Sequence, residues 1–172
     1  MSSSKIVNFY DLGGSSKALK NSLKSLSPNY LDYLALVISA SSGITKNLII
    51  YYKLAMALSL PVIFIITKTD LIKDELDQTE FLNNLNNEIK KVKSGKNLIV
   101  TKTLEDAVLY SRLINENIIP IFMVSNVTGE GLSLLINFLD LIPRNNVNED
   151  ESDENVKVSY FLKKFDILSI LS

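Results

Sequence analysis

The sequence predicts an α/β domain, a parallel sheet with helices on both faces. Three observations carry that prediction. Strand-sized apolar runs alternate with segments of helical periodicity. Two of the runs, residues 61–67 (PVIFIIT) and 118–125 (IIPIFMVS), are apolar without alternation. Parallel strands buried on both faces read that way. Polar clusters follow directly on the runs, where open parallel sheets form their ligand crevice.

The elements follow in order. Residues 5–10 (KIVNFY) read as a short strand closed by Asp11-Leu12-Gly13-Gly14. Residues 16–26 are helix-like, with Leu19, Leu23 and Leu26 at helical spacing, and Pro28-Asn29 ends them. Residues 33–39 (YLALVIS) predict a second strand, and Thr45 caps a helix over 45–58. The third strand is 61–67. A long helix over 74–93 carries Leu76, Phe81, Leu85, Ile89 and Val92 as its expected inner stripe. A short strand at 98–101, a helix at 104–113, the strand at 118–125 and a helix at 132–141 complete the pattern, which Pro143 closes. Residues 1–143 therefore form the domain. Residues 144–155, with five acidic and no basic residues after Arg144, predict a flexible linker. Residues 156–172 resume apolar patterning but are too short for a domain of their own.

Composition excludes several chemistries. Lys and Arg number 18 against 19 Asp and Glu, so the net charge of −1 gives no support for a nucleic-acid-coating surface. The chain has no cysteine, hence no disulfide and no thiolate metal site. It has no histidine, hence no imidazole ligand, no Ser-His-Asp triad and no imidazole general base. No stretch reaches the ~18 apolar residues of a membrane helix and the N-terminus lacks an apolar signal core, so the expectation is a cytoplasmic protein without membrane contact.

Three polar clusters sit at strand ends: Asp11 to Gly14, Thr67-Lys68-Thr69-Asp70, and Ser125-Asn126-Val127-Thr128-Gly129. Each alone is an ordinary turn or helix cap. Their order, each behind an apolar strand, is far less common by chance. Together they resemble the G domain of translation-factor-class GTPases, with the P-loop NTPase type of sheet. The likeness is strongest to the GTP-binding protein one/two group, relatives of elongation factor 1-alpha. It runs through FYDLGGSSKALK, SASSGITKNLIIYYKLAMALSLPVIFIITKTD and IIPIFMVSNVTGEGLSLLINFLDLI, over residues 5–142. Residues 156–171 more faintly resemble the start of the β-barrel domain that follows in that class.

The resemblance implies roles for named residues. Asp70 accepts guanine N1–H and the exocyclic amine as a bidentate, charge-assisted pair that adenine cannot offer. Lys68 lays its methylene stem over the base. Thr67 stands where the family usually has Asn. Ser125, Asn126 and Val127 form the loop at the guanine carbonyl, with the Ser125 and Asn126 N–H groups as donors. Asp11 holds Mg²⁺ through water, and Gly14 offers its N–H to the γ-phosphate. Ser15 stands where the family places a water-orienting His. The implied ligands are GTP/GDP and Mg²⁺. The implied partners are the ribosome or other RNA-associated machinery, and a chain that supplies a missing N-terminal half.

That half is missing as sequence. The phosphate loop G-x-x-x-x-G-K-[ST] needs two glycines five apart, and none of the six glycines (13, 14, 43, 95, 129, 131) pair that way. The chain begins about where the family's third strand begins. In the family's strand order the absent strand lies between the strands expected at 5–10 and 33–39. The sheet is therefore expected to carry an open edge and a partly bare apolar face, unless those two strands close up or another polypeptide fills the space. Two functional readings stay open: a GTP-binding, GTP-hydrolysing switch, and a degenerate, non-hydrolysing G domain that serves as an interaction module. An unrelated parallel α/β protein is the third.

Overall fold

The computed structural model describes residues 6–11, 31–92 and 94–143. The described elements, in chain order, are β1 (Leu34–Ser39), α1 (Lys46–Ala57), β2 (Val62–Thr67), α2 (Glu75–Lys90), β3 (Asn97–Val100), α3 (Leu104–Leu113), β4 (Ile118–Met123) and α4 (Leu132–Leu141). The four strands form one sheet in the order β1-β2-β4-β3. Every pairing is parallel, running from Leu34 opposite Val62, Phe64 opposite Ile121 and Asn97 opposite Ile118.

Chain direction across the sheet decides which face each helix covers. The chain advances from β1 through β2 to β3 and then steps back to β4. Parallel crossovers are right-handed, so the step back puts its helix on the opposite face. Accordingly α1 and α2 pack on one face, burying Tyr52, Leu85 and Ile89 against Phe64, Ile66 and Ile121. The helices α3 and α4 pack on the other, burying Ala107 and Phe138 against Ile63 and Phe122. Rings seal each layer: Tyr52 lies 6.1 Å from Phe64, and Phe122 lies 4.8 Å from Phe138 at 53°. Tilted pairs at such distances suit the ring quadrupoles.

Pro120 sits inside β4, where a proline normally breaks a ladder. The Thr101 N–H donates to the Ile121 carbonyl, so Ile121 faces β3 and the Pro120 nitrogen faces β2. The ladder with β2 begins only at Ile121. No bond is lost where the proline has no N–H.

Three helix starts are capped as their sequences suggest. Thr45 accepts from the Leu48 N–H, and Asp74 accepts from the Leu76 and Asp77 N–H groups. Thr103 and Asp106 form a reciprocal capping box. The backbone N–H groups of Lys102 and Thr103 hold the Asp106 carboxyl below its usual value. No helix among the described residues is long and apolar enough to cross a membrane.

Two expectations are corrected. The strand expected at 5–10 is absent from residues 6–10, which carry no ladder. Ile6 and Phe9 are 87% and 78% exposed there. A strand exists only through a paired neighbour, and β1 ends the sheet without one among the described residues. Leu76, expected in the inner stripe of α2, is 79% exposed. At 3.6 residues per turn it lies about 180° around the helix from Leu85. The helix expected at 16–26, the linker and residues 156–172 lie outside the described residues.

One face of β1 is left uncovered by the described residues. Leu34, Leu36 and Ile38 point into the core under α1, while Ala35 and Val37 point the other way and are exposed, Val37 by 62%. Helix α4 covers the neighbouring β2 and β4 through Ile63 and Phe122.

Candidate functional site

The carboxyl ends of β2 and β4 carry two loops that hydrogen bonds lock together. Strand β2 ends at Thr67, whose hydroxyl donates to the Ile38 carbonyl at 3.4 Å and whose carbonyl accepts from the Ala40 N–H. Thr67 therefore ties β2 to the end of β1. Lys68 turns the chain in the left-handed region, φ 59° and ψ 40°, and stays exposed. A short 3-10 turn, Thr69–Leu71, follows and presents Asp70 at the surface. The Thr69 N–H donates to the Val124 carbonyl at 3.3 Å, which pins this turn to the end of β4.

Ser125 joins the loops. It is fully buried, and its hydroxyl donates to Asp70 Oδ1 at 2.5 Å. The Ser125 hydroxyl oxygen in turn accepts from the Val127 and Thr128 N–H groups, each at 3.2 Å. One donor and two acceptor sites are all that a hydroxyl has, and all are used. Asp70 is thus held by one carboxylate oxygen, and its other oxygen bonds no described residue. A carboxylate has roughly four lone-pair sites, so a planar pair of donors can still be accepted.

The backbone of the second loop is closed from below. The Ser125 N–H donates to the Glu130 carbonyl and the Gly129 N–H donates to the Ser125 carbonyl. Gly131 then starts α4 at φ 71°, and a Cβ on it would lie 1.9 Å from the Met123 carbonyl oxygen. That close approach lets α4 begin directly beneath the loop.

The expected residues fall as follows. Thr67, Lys68 and Asp70 lie on one loop and Ser125, Asn126 and Val127 on the other, side by side at the sheet's carboxyl edge and joined by the Ser125–Asp70 bond. The Ser125 N–H, expected to face a ligand carbonyl, is engaged by Glu130, and the Val127 N–H is engaged by the Ser125 hydroxyl. The Asn126 N–H finds no acceptor among the described residues. The part Ser125 plays here is to orient Asp70. Asp11 is exposed and is bonded to none of the loop residues. Gly14 and Ser15 lie outside the described residues. Among the described residues no group of three or more acidic side chains gathers as a metal site. Glu130 and Gly131 were not anticipated. The signal for Gly131 was a glycine directly before an apolar helical run, one residue removed from a second glycine.

A parallel sheet with helices on both faces and two interlocked loops at its carboxyl edge is an open α/β domain of the kind that binds ligands beyond its strand ends. The family model described as "Elongation factor Tu GTP binding domain" matches residues 2–144, and the chain belongs to that family. GTP-binding protein 1 of Xenopus laevis is 34% identical over 154 residues, 88% of this chain and 23% of the relative. GTP-binding protein 2 of Mus musculus and that of Homo sapiens are each 32% identical over 145 residues, 83% of this chain and 24% of the relative. The chain spans about a quarter of the length of these relatives.

Proposed function

We propose that this chain is the base-reading half of a GTP-binding switch domain of the translation type. The observation that carries the reading is the Ser125 hydroxyl bond to Asp70 at 2.5 Å, which fixes a carboxylate at the carboxyl edge of the sheet. A fixed carboxylate selects guanine because the base presents two adjacent N–H donors in one plane. Lys68 supplies an apolar stem and a cation above the base, and the Asn126 N–H supplies a donor for the guanine carbonyl. The names of the relatives, GTP-binding protein 1 and 2, agree with this ligand.

The phosphate side is weaker. No phosphate-loop motif occurs in the 172 residues. Asp11, through water to Mg²⁺, and the Gly14 N–H are the groups proposed to face the phosphates. When bound, Mg²⁺ would neutralise charge between the phosphates. With Ser15 in place of the family's His, the chain offers only a hydroxyl to hold an attacking water. Hydrolysis is therefore proposed to need a group from a partner, such as the ribosome or another RNA-associated assembly.

The test is Asp70→Asn in the full chain. Inverting the carboxylate to an amide should move preference from guanine to xanthine nucleotides, whose hydrogen-bonding pattern is inverted at the same edge. A site built on such bonds discriminates by up to ~10⁴-fold. Unchanged guanine preference in Asp70→Asn would refute the assignment.

A further inference from the structure

We infer that the β3 edge of the sheet is a self-association surface, where a second copy of this chain pairs its own β3 antiparallel and lays its α3 alongside.

The edge is defined by hydrogen bonding. The Asn97 and Thr101 N–H groups donate to the Asn117 and Ile121 carbonyls, on the β4 side. Backbone groups alternate along a strand, so the N–H and C=O groups of Leu98 and Val100 point outward, where no described strand lies. Edge strands are commonly blunted by a proline, a bulge or a charge within the strand. Leu98-Ile99-Val100 has neither proline nor charge, and its register with β4 runs without a bulge.

An apolar strip adjoins this edge. Leu98 and Val100 pack with the α1/α2 layer, so Ile99 between them faces the α3 layer. On α3, Leu104 and Val108 stand one turn apart and are 54% and 37% exposed. Around the helix the buried Ala107 and Ser111 separate them from Tyr110, which packs in the α4 cluster. Leu104 and Val108 therefore face away from α4, towards the open edge.

The occupant is argued from symmetry and charge. Antiparallel pairing about Ile99 sets Leu98 against the partner's Val100, and Val100 against the partner's Leu98. That register satisfies the outward N–H and C=O groups of both residues in both copies. The same two-fold axis stacks Ile99 on the partner's Ile99 and brings the two Leu104/Val108 strips together. It also brings Lys102 opposite the partner's Lys96. Lys96 donates to the Glu116 carbonyl, which places an acidic residue at the end of β3 that Lys102 reaches. Four backbone bonds and one strip make a small contact, so the dimer is weak and depends on concentration. The pairing does not depend on what the loops at the carboxyl edge bind.

Sedimentation equilibrium of the full chain tests the inference. Monomer should pass to dimer below about 1 mM, and Leu104→Lys/Val108→Lys should raise the dissociation constant at least ~10-fold. Both positions are exposed, so the variant should keep its unfolding midpoint. A chain that stays monomeric throughout would overturn the inference. So would a dimer that the two lysines leave unchanged, because its contact then lies elsewhere. A second measurement does not depend on that variant. Directly opposed residues of a non-hydrogen-bonded antiparallel pair have Cα atoms about 4.5 Å apart, within disulfide reach. The chain has no cysteine, so Ile99→Cys should oxidise to a covalent dimer at concentrations where Leu76→Cys, fully exposed on α2, does not. Equal or reversed cross-linking of the two variants contradicts the inference. Slow amide exchange at Leu98 and Val100 in a monomer would also overturn it, in favour of an occupant from the same chain.

Discussion

Two ends of one sheet are built to different standards. At the β2–β4 end, Ser125 is buried with every hydrogen-bonding site used, and Asp70 is held by it. At the β1 end, Val37 and residues 6–10 face solvent with backbone groups that pair with nothing described. In the family both regions serve one ligand, the base at one and the phosphates at the other. The contrast teaches that the two loops proposed to read the base are locked by bonds of their own and draw little on the β1 end of the sheet. No phosphate-loop motif stands beside the β1 end in these 172 residues.

The contrast breaks most easily by truncation in the core. Phe64→Ala should cost about 3–5 kcal/mol in denaturant unfolding, whereas Val37→Thr on the same sheet should stay within about 0.5 kcal/mol. Equal costs would mean that the face over Val37 is covered in solution. Ser125→Ala comes next. It removes the bond to Asp70 and strands two N–H groups, a loss of about 1–3 kcal/mol visible in thermal unfolding. Gly131→Ala should also lower stability by more than the ~1 kcal/mol that a left-handed glycine conformation commands, because its Cβ meets the Met123 carbonyl. Gly129→Ala, with open space around φ 80°, should cost the conformational part alone. Equal losses at the two glycines would show that the close approach beneath α4 is not held in solution.

The smallest effect is one of pH. The Tyr33 hydroxyl donates to the Pro143 carbonyl at 2.5 Å and so ties the foot of β1 to the exit of α4. Burial, with Asp32 adding to it, pushes its pKa from 10.0 up to about 12. A folded-state pKa above the unfolded one gives stability that is full below pH 10 and lost as pH rises towards 12. Tyr33 is only partly buried, so the change should be small. Tyr33→Phe should flatten the unfolding profile over that window; an identical slope in both proteins would remove Tyr33 from the account.

Much of this fold was legible because its signals are local. Unbroken apolar runs marked β2 and β4, and Thr45 and Asp74 marked two helix starts. The base-side cluster was legible because Thr67 to Asp70 and Ser125 to Gly129 each follow such a strand directly. What escaped depends on neighbours distant in sequence. Residues 6–10 have strand composition yet no ladder, since pairing is decided by what lies beside them. Leu76 was misplaced because a list of apolar residues hides their angle around a helix. The bond from the Ser125 N–H to Glu130 depends on how tightly α4 starts under the loop, which the motif does not encode.

On the proposed reading, the two loops of this chain read the base, and the chain holds the phosphates only weakly. Titration of the labelled full chain with GMP, GDP and AMP, followed at backbone amides, tests it most directly. The account predicts that GMP and GDP shift Lys68, Thr69, Asp70 and Asn126 with roughly millimolar affinity, about −4 kcal/mol, and that AMP does not. Equal shifts with AMP, or no shift at those amides with GMP, would contradict the base-reading site. Sub-micromolar GDP binding would contradict the claim that the phosphates lack their holder.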